Sequence, residues 1–171
     1  MYRLDTERLI LRSPQTEDLR PWTSFFLSER AKPLGGGPQH SALVAWRAFA
    51  SIAGHWTLNG CGPFVCLTKA GDKAVGLSGP WFPESWPERE LSWSLWSEEA
   101  EGLGLAYEAA ARVRQHVFDD LRWETAVSYI APDNARSIAL AERLGCHCDV
   151  DAKTPDGDAT LVFRHPAGSL D

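Results

Sequence analysis

The stretch Glu101-Gly102-Leu103-Gly104-Leu105-Ala106-Tyr107-Glu108-Ala109 stands between a predicted strand and a long predicted helix. Glycines at such a junction let backbone N–H groups approach an anion without interference from a Cβ atom. The first N–H groups of the helix and the positive end of its dipole then stabilise the negative charge. The same pattern also fits an ordinary helix start with flexible glycines, so its meaning depends on the elements around it.

Strands and helices alternate on both sides of this stretch. We predict strands at 90–96 and 125–130, and helices at 104–121 and 134–144. Gly145 should end the second helix, because glycine is the residue that best accepts a left-handed conformation after a helix. The first helix carries a stripe of apolar residues at helical spacing: Ala106, Ala109, Ala110, Val113, Val117 and Leu121.

A second motif, Pro132-Asp133-Asn134-Ala135-Arg136-Ser137, also lies directly between a strand and a helix. Asn and Ser are common helix caps, so capping alone would explain their presence. Two helix starts at the ends of adjacent strands, however, would face one cleft between them. The two motifs together are therefore more specific than either motif alone.

The first half of the chain predicts a strand, two helices and a hairpin. The strand covers 8–12, the helices cover 16–28 and 41–56, and the hairpin strands cover 64–67 and 74–78. In the second helix, residues at three- and four-residue steps form an aromatic face that we expect to turn inward: Trp46, Phe49, Ala53 and Trp56.

The predicted order of elements is β-α-α-β-β-β-α-β-α-β-β, which describes an α/β protein with a mixed sheet covered by helices. Its last two strands are predicted at 146–150 and 159–164, around a turn at Thr154-Pro155-Asp156-Gly157. A chain of 171 residues fits one hydrophobic core. We therefore expect residues 1–171 to form a single domain.

Composition and charge exclude several classes of function. The net charge of -6 and pI near 5.4 disfavour nucleic-acid binding through a basic surface, and an acidic surface favours the approach of a cationic amine. No apolar run is long enough to cross a membrane. The polar start of the chain lacks the apolar core of a signal peptide. We therefore expect a cytoplasmic protein that binds neither nucleic acid nor membrane.

Four cysteines are spaced in a way that does not predict a metal site: Cys61, Cys66, Cys146 and Cys148. None of them form a C-x-x-C pair, and Cys146-His147-Cys148 is too tightly spaced for a usual zinc knuckle. We expect reduced thiols that behave as small buried hydrophobic groups.

Taken in order, these motifs resemble the GNAT superfamily of N-acetyltransferases, and within it the branch that includes the ribosomal-protein N-terminal acetyltransferases. Thr6-Glu7-Arg8-Leu9-Ile10-Leu11-Arg12 resembles the first strand of that branch. Gly102-x-Gly104-x-Ala106-x-Glu108-Ala109 is similar to its acetyl-CoA pyrophosphate loop, and Asn134-x-x-Ser137 with Leu144-Gly145 is similar to its next motif. The resemblance covers nearly the whole chain. It implies a central, twisted, mostly antiparallel sheet flanked by helices.

The resemblance also implies an activity. An acetyl group would pass from acetyl-CoA, a cosubstrate, to a primary amine of a small molecule or a protein N-terminus. The amine would attack directly in a ternary complex, with no covalent acyl-enzyme and no metal. Asn134 should hydrogen-bond the pantetheine, and Ser137 should lie near the thioester sulfur. The residues implied in backbone binding are Ser94, Leu95 and Trp96 for the pantetheine, and Gly102, Leu103, Gly104, Leu105 and Ala106 for the pyrophosphate.

Three departures from the family pattern bear on activity. Glu101 stands where relatives usually have Gln or Arg, and Leu103 where they often have a basic or polar residue. A carboxylate repels a nearby pyrophosphate unless it points outward, so we expect weakened CoA affinity. No tyrosine lies between Asn134 and Gly145, so Ser137 or a water must serve as the general acid. An acyl-CoA-binding regulatory module with little or no turnover is the alternative.

A general base is needed, because an alkyl amine is largely protonated at neutral pH. Glu90 is our candidate, since it opens the strand that leads to the expected splay. Simple alternation places Glu90, Ser92, Ser94 and Trp96 on one face of that strand. Glu90 could instead be an exposed strand residue, and the other candidates for the base are Glu84, Glu88 and His55.

Four tryptophans near this strand have two interpretations: Trp81, Trp86, Trp93 and Trp96. They could line an acceptor pocket, since aromatic walls bind cations and flat apolar groups. More simply, two could belong to the core and two could cover the sheet. The sequence leaves the identity of the amine acceptor open, and a homodimer is the default expectation for oligomeric state.

Overall fold

The computed structural model describes residues 2–155 and 159–167. Within these residues the strands are β1 (Arg3–Asp5), β2 (Leu9–Arg12), β3 (Phe64–Thr68), β4 (Lys73–Trp81), β5 (Glu90–Leu95), β6 (Val127–Ile130), β7 (His147–Cys148) and β8 (Leu161–Arg164). The α-helices are α1 (Leu19–Phe26), α2 (Ala42–Asn59), α3 (Leu105–Gln115) and α4 (Ala135–Arg143). Short 3₁₀ helices occur at Thr16–Asp18, Glu29–Leu34 and Glu98–Ala100, and a π-helical turn occurs at His116–Asp120.

All eight strands form one sheet in the order β1-β2-β3-β4-β5-β6-β8-β7. Every neighbouring pair is antiparallel except β5 and β6, which are parallel. The expectation of a mostly antiparallel mixed sheet flanked by helices is therefore confirmed.

The parallel pair at the centre of the sheet separates almost as soon as it forms. In the described residues, β5 and β6 are in register only at Glu90 and Val127. Beyond that point β5 stays paired with β4, up to the pair Leu95 and Gly76, while β6 stays paired with β8. A wedge-shaped opening therefore forms between two strands that are each held on their outer side.

Both faces of the sheet are covered, because successive side chains of a strand point to opposite faces. Phe64 and Cys66 of β3 pack with Val113 of α3 on one face. Val65 of the same strand packs on the other face, with Phe25 of α1. On the α3 side, α4 packs beside α3 through a third cluster. The helices that approach the opening between β5 and β6 are thus fixed by the core.

The prediction that the chain's first strand covers 8–12 was wrong in one respect. It corresponds to β2, and a further strand, β1 at Arg3–Asp5, precedes it and pairs with it. Only Leu4 of β1 is buried. A three-residue edge strand with one buried side chain is too short to show a period-2 pattern, which explains why it was missed.

The expected inward aromatic face of the second helix was only partly correct. Phe49 is buried, but Trp46 is 52% exposed. The buried face of α2 instead follows Ala45, Phe49 and Ile52. Because α2 is apolar around much of its circumference, the large aromatic residues alone did not identify the face that packs.

Other boundaries shifted by a few residues. The predicted helix at 104–121 is α3 followed by the π-helical turn. The two predicted closing strands shorten to β7 and β8, and residues 156–158 of the turn between them lie outside the described residues. Gly145 follows α4 with a φ of 75°, as predicted for a left-handed helix end.

The four cysteines carry free thiols, of which only Cys148 is exposed. Among the described residues, no helix combines the length and apolar character needed to cross a bilayer.

Candidate active site

A cleft of about 530 Å³ opens where β5 and β6 diverge. Its walls come from β5, β6, the 3₁₀ helix Glu29–Leu34, the loop at 101–104 and the first turns of α3 and α4. This volume lies in the range of small-molecule and cofactor sites, roughly 300–1,000 Å³. The two glycine- and asparagine-containing motifs therefore face one cleft, as their positions in the sequence predicted.

The glycine loop is built for close approach to an anion. Gly102 and Gly104 have φ values of 71° and 77°, which L-residues with side chains rarely adopt. Gly104 is the N-cap of α3, so the first N–H groups of that helix face the cleft without intrahelical partners. A phosphate group fits this arrangement of glycines and helix N-terminus.

Thr6 and Arg8 of the N-terminal segment hold this loop in place. The Arg8 guanidinium donates to the carbonyl oxygen of Leu103 at 2.7 Å and pairs with Glu108 at 2.6 Å. Thr6 donates to the same carboxylate at 2.6 Å. Burial raises the pKa of Glu108, but the hydrogen bonds from Thr6 and Arg8 outweigh burial and hold it below its ordinary value. The Thr6-to-Arg8 and Glu108 parts of the sequence motifs thus act as one structural unit.

Glu90 is a buried carboxyl group on the wall of the cleft. It is 8% exposed, and the indole Nε1 of Trp86 donates to its Oε2 at 2.9 Å. Burial raises the pKa of Glu90 to about 7, against the opposing effect of hydrogen bonds from the Trp86 indole and the Tyr129 backbone. A carboxyl group with that pKa can accept and release protons at neutral pH.

Asn134 and Ser137 lie at the start of α4 and line the same cleft. The Ser137 backbone N–H donates to the Asn134 side-chain oxygen at 3.1 Å, which caps the helix. The Trp93 indole donates to the Ser137 hydroxyl at 3.2 Å. Ser137 is therefore oriented by a side chain from β5, on the other side of the opening.

Most of the residues predicted for the site lie together at this cleft. The lining residues among them are Glu90, Ser94, Leu95, Gly102, Gly104, Leu105, Ala106, Asn134 and Ser137. The ladder between β4 and β5 runs without a bulge from Leu95 back to Glu90, so Glu90, Ser92 and Ser94 share one face as alternation predicted.

Trp96 and Leu103 do not line the cleft. The Trp96 backbone N–H donates to the Val75 carbonyl oxygen at 2.8 Å, and its side chain is buried against Trp22 and Phe25. Leu103 is 56% exposed, and its carbonyl oxygen is held by Arg8.

The other candidates for the base, Glu84, Glu88 and His55, do not line the cleft. The Arg164 guanidinium donates two hydrogen bonds, of 2.8 and 2.9 Å, to the Glu88 carboxylate. Glu84 is exposed and does not line the cleft. His55 is buried, with Nδ1 2.7 Å from the Cys61 carbonyl oxygen and Nε2 accepting from the Phe82 N–H at 3.1 Å. Both ring nitrogens of His55 therefore have backbone partners, and His55 does not line the cleft.

The four tryptophans divide between the core and the site. Trp96 is buried, and Trp81 stacks on His55 with ring centroids 5.2 Å apart. Trp86 and Trp93 instead donate their indole N–H groups to Glu90 and Ser137. The structure therefore assigns two of them to orienting polar side chains, a role that neither sequence interpretation contained.

Two arginines at the cleft were missed as site residues. Arg30 comes from the 3₁₀ helix Glu29–Leu34 and Arg136 from the first turn of α4, and both contact the carboxylate of Glu101 at 2.5 Å. Arg136 lies inside the Asn134 motif, where its position could have suggested a role. Arg30 is 71 residues from Glu101, and no local pattern marks it.

The chain has clear relatives among known families and structures. The family model described as an acetyltransferase (GNAT) domain matches residues 8–147. An acetyltransferase from Agrobacterium tumefaciens str. C58 is 33% identical, with a TM-score of 0.89, covering 97% of this chain and 95% of that chain. No functionally curated sequence matches the chain significantly.

Two more distant structures share the fold. The ribosomal-protein-S5-alanine acetyltransferase from Vibrio fischeri is 16% identical, with a TM-score of 0.74 over 100% of both chains. RimJ from Mycobacterium smegmatis, in complex with CoA-disulfide, is 15% identical, with a TM-score of 0.70 over 95% of this chain and 85% of that chain. From the family match and the 33% identical relative, the chain belongs to the GNAT family of acetyltransferases, which transfer acetyl groups from acetyl-CoA.

Proposed function

We propose that this acetyltransferase acts on a primary amine, of a small molecule or a protein N-terminus, which attacks acetyl-CoA directly in a ternary complex. The observation that carries this proposal is the position of Glu90. It is a buried carboxyl group with a pKa raised by burial to about 7, and it lines the same cleft as the glycine loop and the start of α4.

The glycine loop and the first turn of α3 would hold the pyrophosphate of acetyl-CoA through backbone N–H groups of Gly102, Gly104, Leu105 and Ala106. The positive φ values of the two glycines support this assignment. Trp96 and Leu103 are left out of the binding set, because neither lines the cleft, the Trp96 N–H bonds Val75 and the Leu103 carbonyl oxygen accepts from Arg8.

The pantetheine arm would lie along β5 in the opening beside β6. Ser94 and Leu95 line the cleft beyond the register pair of Glu90 and Val127, where β5 has no strand partner on the β6 side. Bonding alternates along an antiparallel strand, and the Trp96 N–H bonds the Val75 carbonyl oxygen of β4, so the backbone groups of Ser94 face β4 and those of Leu95 face the open side. The Leu95 backbone can therefore bond an extended amide-containing chain, as it would a neighbouring strand. Asn134 and Ser137 at the start of α4 would contact the pantetheine and the thioester sulfur.

Glu90 would take a proton from the ammonium form of the acceptor, directly or through one water. The neutral amine then attacks the carbonyl carbon of the thioester, and an amide bond forms as the carbon–sulfur bond breaks. The thiolate leaving group takes a proton from Ser137 or from a water, and the second proton that the nitrogen loses as the amide forms returns to that donor through water. The Trp93 indole N–H supports the role of Ser137, because it fixes the hydroxyl at the cleft.

The alternative is a module that binds acyl-CoA without significant turnover. It is favoured by the carboxylate of Glu101 at the cleft and by the absence of a tyrosine between Asn134 and Gly145. Calorimetric titration with acetyl-CoA, followed by a thiol-release screen against a broad amine panel, separates the two. Binding with turnover of any amine supports the enzyme, and binding without turnover supports the module.

The role of Glu90 is tested with the substitution Glu90→Gln. Loss of a general base typically lowers the rate by a factor of about 100 or more, so we expect that fall in kcat/KM at pH 8. The wild-type kcat/KM should rise as pH increases through about 7, the pKa of Glu90, because the carboxylate must be deprotonated to act. This rise should be missing in the variant, whereas acetyl-CoA binding should be unchanged.

The matched control is Glu124→Gln, which makes the same change at an exposed residue that does not line the cleft. It should keep both the rate and the pH profile of the wild type. Retention of the wild-type rate and pH profile by Glu90→Gln would exclude Glu90 as the base.

A further inference from the structure

Three charged side chains in the lining of the cleft form a continuous pair of salt bridges, Arg30 to Glu101 and Glu101 to Arg136. One carboxylate oxygen of Glu101 accepts from Arg30, and the other accepts from Arg136. The two arginines come from separate elements, the 3₁₀ helix Glu29–Leu34 and the first turn of α4. All three residues line the cleft. We call this set the arginine bridge.

The arginine bridge stands where an anion would be expected. Glu101 directly precedes the two glycines with positive φ and the N-terminus of α3. Guanidinium groups are the side chains best suited to bind carboxylates and phosphates. In the structure, both guanidinium groups are paired with the carboxylate of Glu101, beside the glycine loop.

The ionised form of Glu101 is favoured in this setting. Burial raises the pKa of Glu101, but hydrogen bonds and charges from Arg30 and Arg136 together outweigh burial and hold it below its ordinary value. At neutral pH the arginine bridge therefore carries two positive charges and one negative charge. A phosphate that approaches the loop meets less positive charge than the two arginines alone would offer.

We propose that Glu101 is a built-in competitor for the phosphate groups of the acyl donor, so that donor binding requires Arg30 and Arg136 to exchange this carboxylate for phosphate. The inference rests on the proposed function, because it takes acetyl-CoA as the donor. Arg136 is free to make the exchange, since its side chain is 75% exposed. Arg30 is also held by the carbonyl oxygen of Leu95 at 3.3 Å, so it stays at the cleft when Glu101 is displaced.

The test is the substitution Glu101→Gln, which keeps the shape of the side chain and removes its charge. Two partly exposed ion pairs, each of modest strength, are broken on exchange in the wild type. We therefore expect the variant to bind acetyl-CoA about tenfold more tightly in calorimetric titration. S-acetylpantetheine lacks the phosphates, and its affinity should not change.

The matched control is Glu99→Gln, two residues earlier in the chain. Glu99 is exposed, pairs with Lys73 at 2.8 Å and does not line the cleft. The substitution Glu99→Gln changes the net charge by the same amount as Glu101→Gln. The affinity of this control variant for acetyl-CoA should stay at the wild-type value. An equal gain in the control would mean that overall charge, and not the arginine bridge, sets the affinity.

A second variant tests the exchange itself. Arg136→Gln should weaken acetyl-CoA binding, and in the double variant Glu101→Gln with Arg136→Gln the tenfold gain should shrink. Non-additivity of this kind reports direct coupling between the two positions. Thermal unfolding of each variant shows that a change in affinity does not come from loss of the fold.

The outcomes separate the inference from the proposed function. If the wild type binds acetyl-CoA and Glu101→Gln binds it equally or more weakly, the competitor role is wrong and the proposed function stands. If both donors gain affinity equally, phosphate is not what Glu101 competes with, and the inference again fails. If neither protein binds acetyl-CoA, the proposed function fails and the inference fails with it.

Discussion

At the residue scale, the chemistry of Glu90 depends on neighbours that its own sequence position does not reveal. Its place at the start of β5 followed from the strand pattern. Its pKa does not follow from that pattern, since it results from burial opposed by the Trp86 indole and the Tyr129 backbone N–H. Tyr129 lies on the neighbouring strand, and Trp86 lies in the loop before β5. The pKa is therefore set by tertiary contacts around one carboxyl group.

The substitution Trp86→Phe isolates the strongest of these opposing contacts. It removes the N–H that donates to Glu90 at 2.9 Å and keeps an aromatic ring. Because that hydrogen bond favours the charged carboxylate, its loss should raise the pKa of Glu90 further, by about one unit. The rise of kcat/KM with pH should move upward by that amount, while the plateau at high pH is largely kept.

Trp56→Phe is the matched control, because the Trp56 indole donates to the Pro63 carbonyl oxygen, away from the cleft. It should change stability without moving the pH profile. If Trp86→Phe also leaves the pH profile in place, then Trp86 does not set the pKa of the base.

At the element scale, the opening between β5 and β6 is held by a side chain where the backbone ladder stops. The Ser128 hydroxyl on β6 donates to the Leu91 carbonyl oxygen on β5 at 2.6 Å. The single proton of that hydroxyl is used in this bond. The His165 Nε2–H group, 2.9 Å away, therefore donates to the Ser128 oxygen. The His165 Nδ1 then accepts from the Cys146 thiol at 3.2 Å. This buried chain ties both strands to the segment that follows β8.

The glycine loop is the other element whose geometry carries a prediction. Gly104→Ala places a side chain at a φ of 77°, where the left-handed conformation costs roughly 1–2 kcal/mol. A Cβ atom there would meet only the Arg8 guanidinium, at 3.5 Å, so the fold should survive. We expect a loss of about 1 kcal/mol in the free energy of unfolding, together with weaker acetyl-CoA binding in calorimetric titration.

Gly60→Ala provides the control for backbone strain alone. Gly60 ends α2 at a φ of 72°, a Cβ atom there would meet nothing within 4 Å, and it does not line the cleft. It should lose a similar free energy of unfolding and keep wild-type acetyl-CoA affinity. Equal effects of the two substitutions on affinity would show that the loop geometry is not specific for the donor.

At the scale of the whole molecule, two buried groups make stability depend on pH in opposite directions. Burial holds the pKa of His165 at about 3, so the unfolded chain binds its proton first, and stability increases as pH rises from about 3 towards 6.5. For Glu90, the folded pKa of about 7 exceeds the ordinary value of 4.5. The folded protein then holds a proton that the unfolded chain has lost, and stability decreases as pH rises over that range.

The substitution Glu90→Gln separates the two contributions, because it leaves His165 unchanged. At pH 5 the two proteins should differ by less than about 1 kcal/mol in free energy of unfolding, since the folded state still holds the Glu90 proton and the unfolded chain has only begun to lose it. At pH 8 the variant should be more stable by up to about 3 kcal/mol, the free-energy equivalent of the raised pKa. Urea unfolding at both pH values measures the difference.

The raised pKa of Glu90 would be contradicted if the difference in free energy of unfolding between the variant and the wild type were the same at pH 5 and at pH 8. The expected result would instead show a carboxylate that lowers stability in order to serve the site. Such conflicts between stability and activity are common at functional sites.

Much of the fold was predictable from local sequence, and the errors have physical reasons. The positions of α3, α4 and β2 through β6 were correct within a few residues, because their apolar periodicity is strong. β1 was missed because only one of its three residues is buried, and the packed face of α2 was misassigned at Trp46, which is exposed. Which face of an apolar helix packs depends on what the sheet presents to it.

The sequence by itself determined the local features that depend on only a few neighbouring residues. These are the glycines of the 101–104 loop, the Asn134 cap of α4 and the left-handed Gly145, each of which depends on the conformation of its own backbone. The two motifs also predicted the shared cleft, because each stands where a strand gives way to a helix.

Only the tertiary structure decided which side chains surround these local features. Arg30 reaches Glu101 across 71 residues of chain, Arg8 reaches Leu103 across 95, and Glu90 becomes buried beneath Trp86. The physical reason is that ion pairing and burial depend on which elements the sheet order brings together, and local sequence patterns carry no record of contacts at such separations.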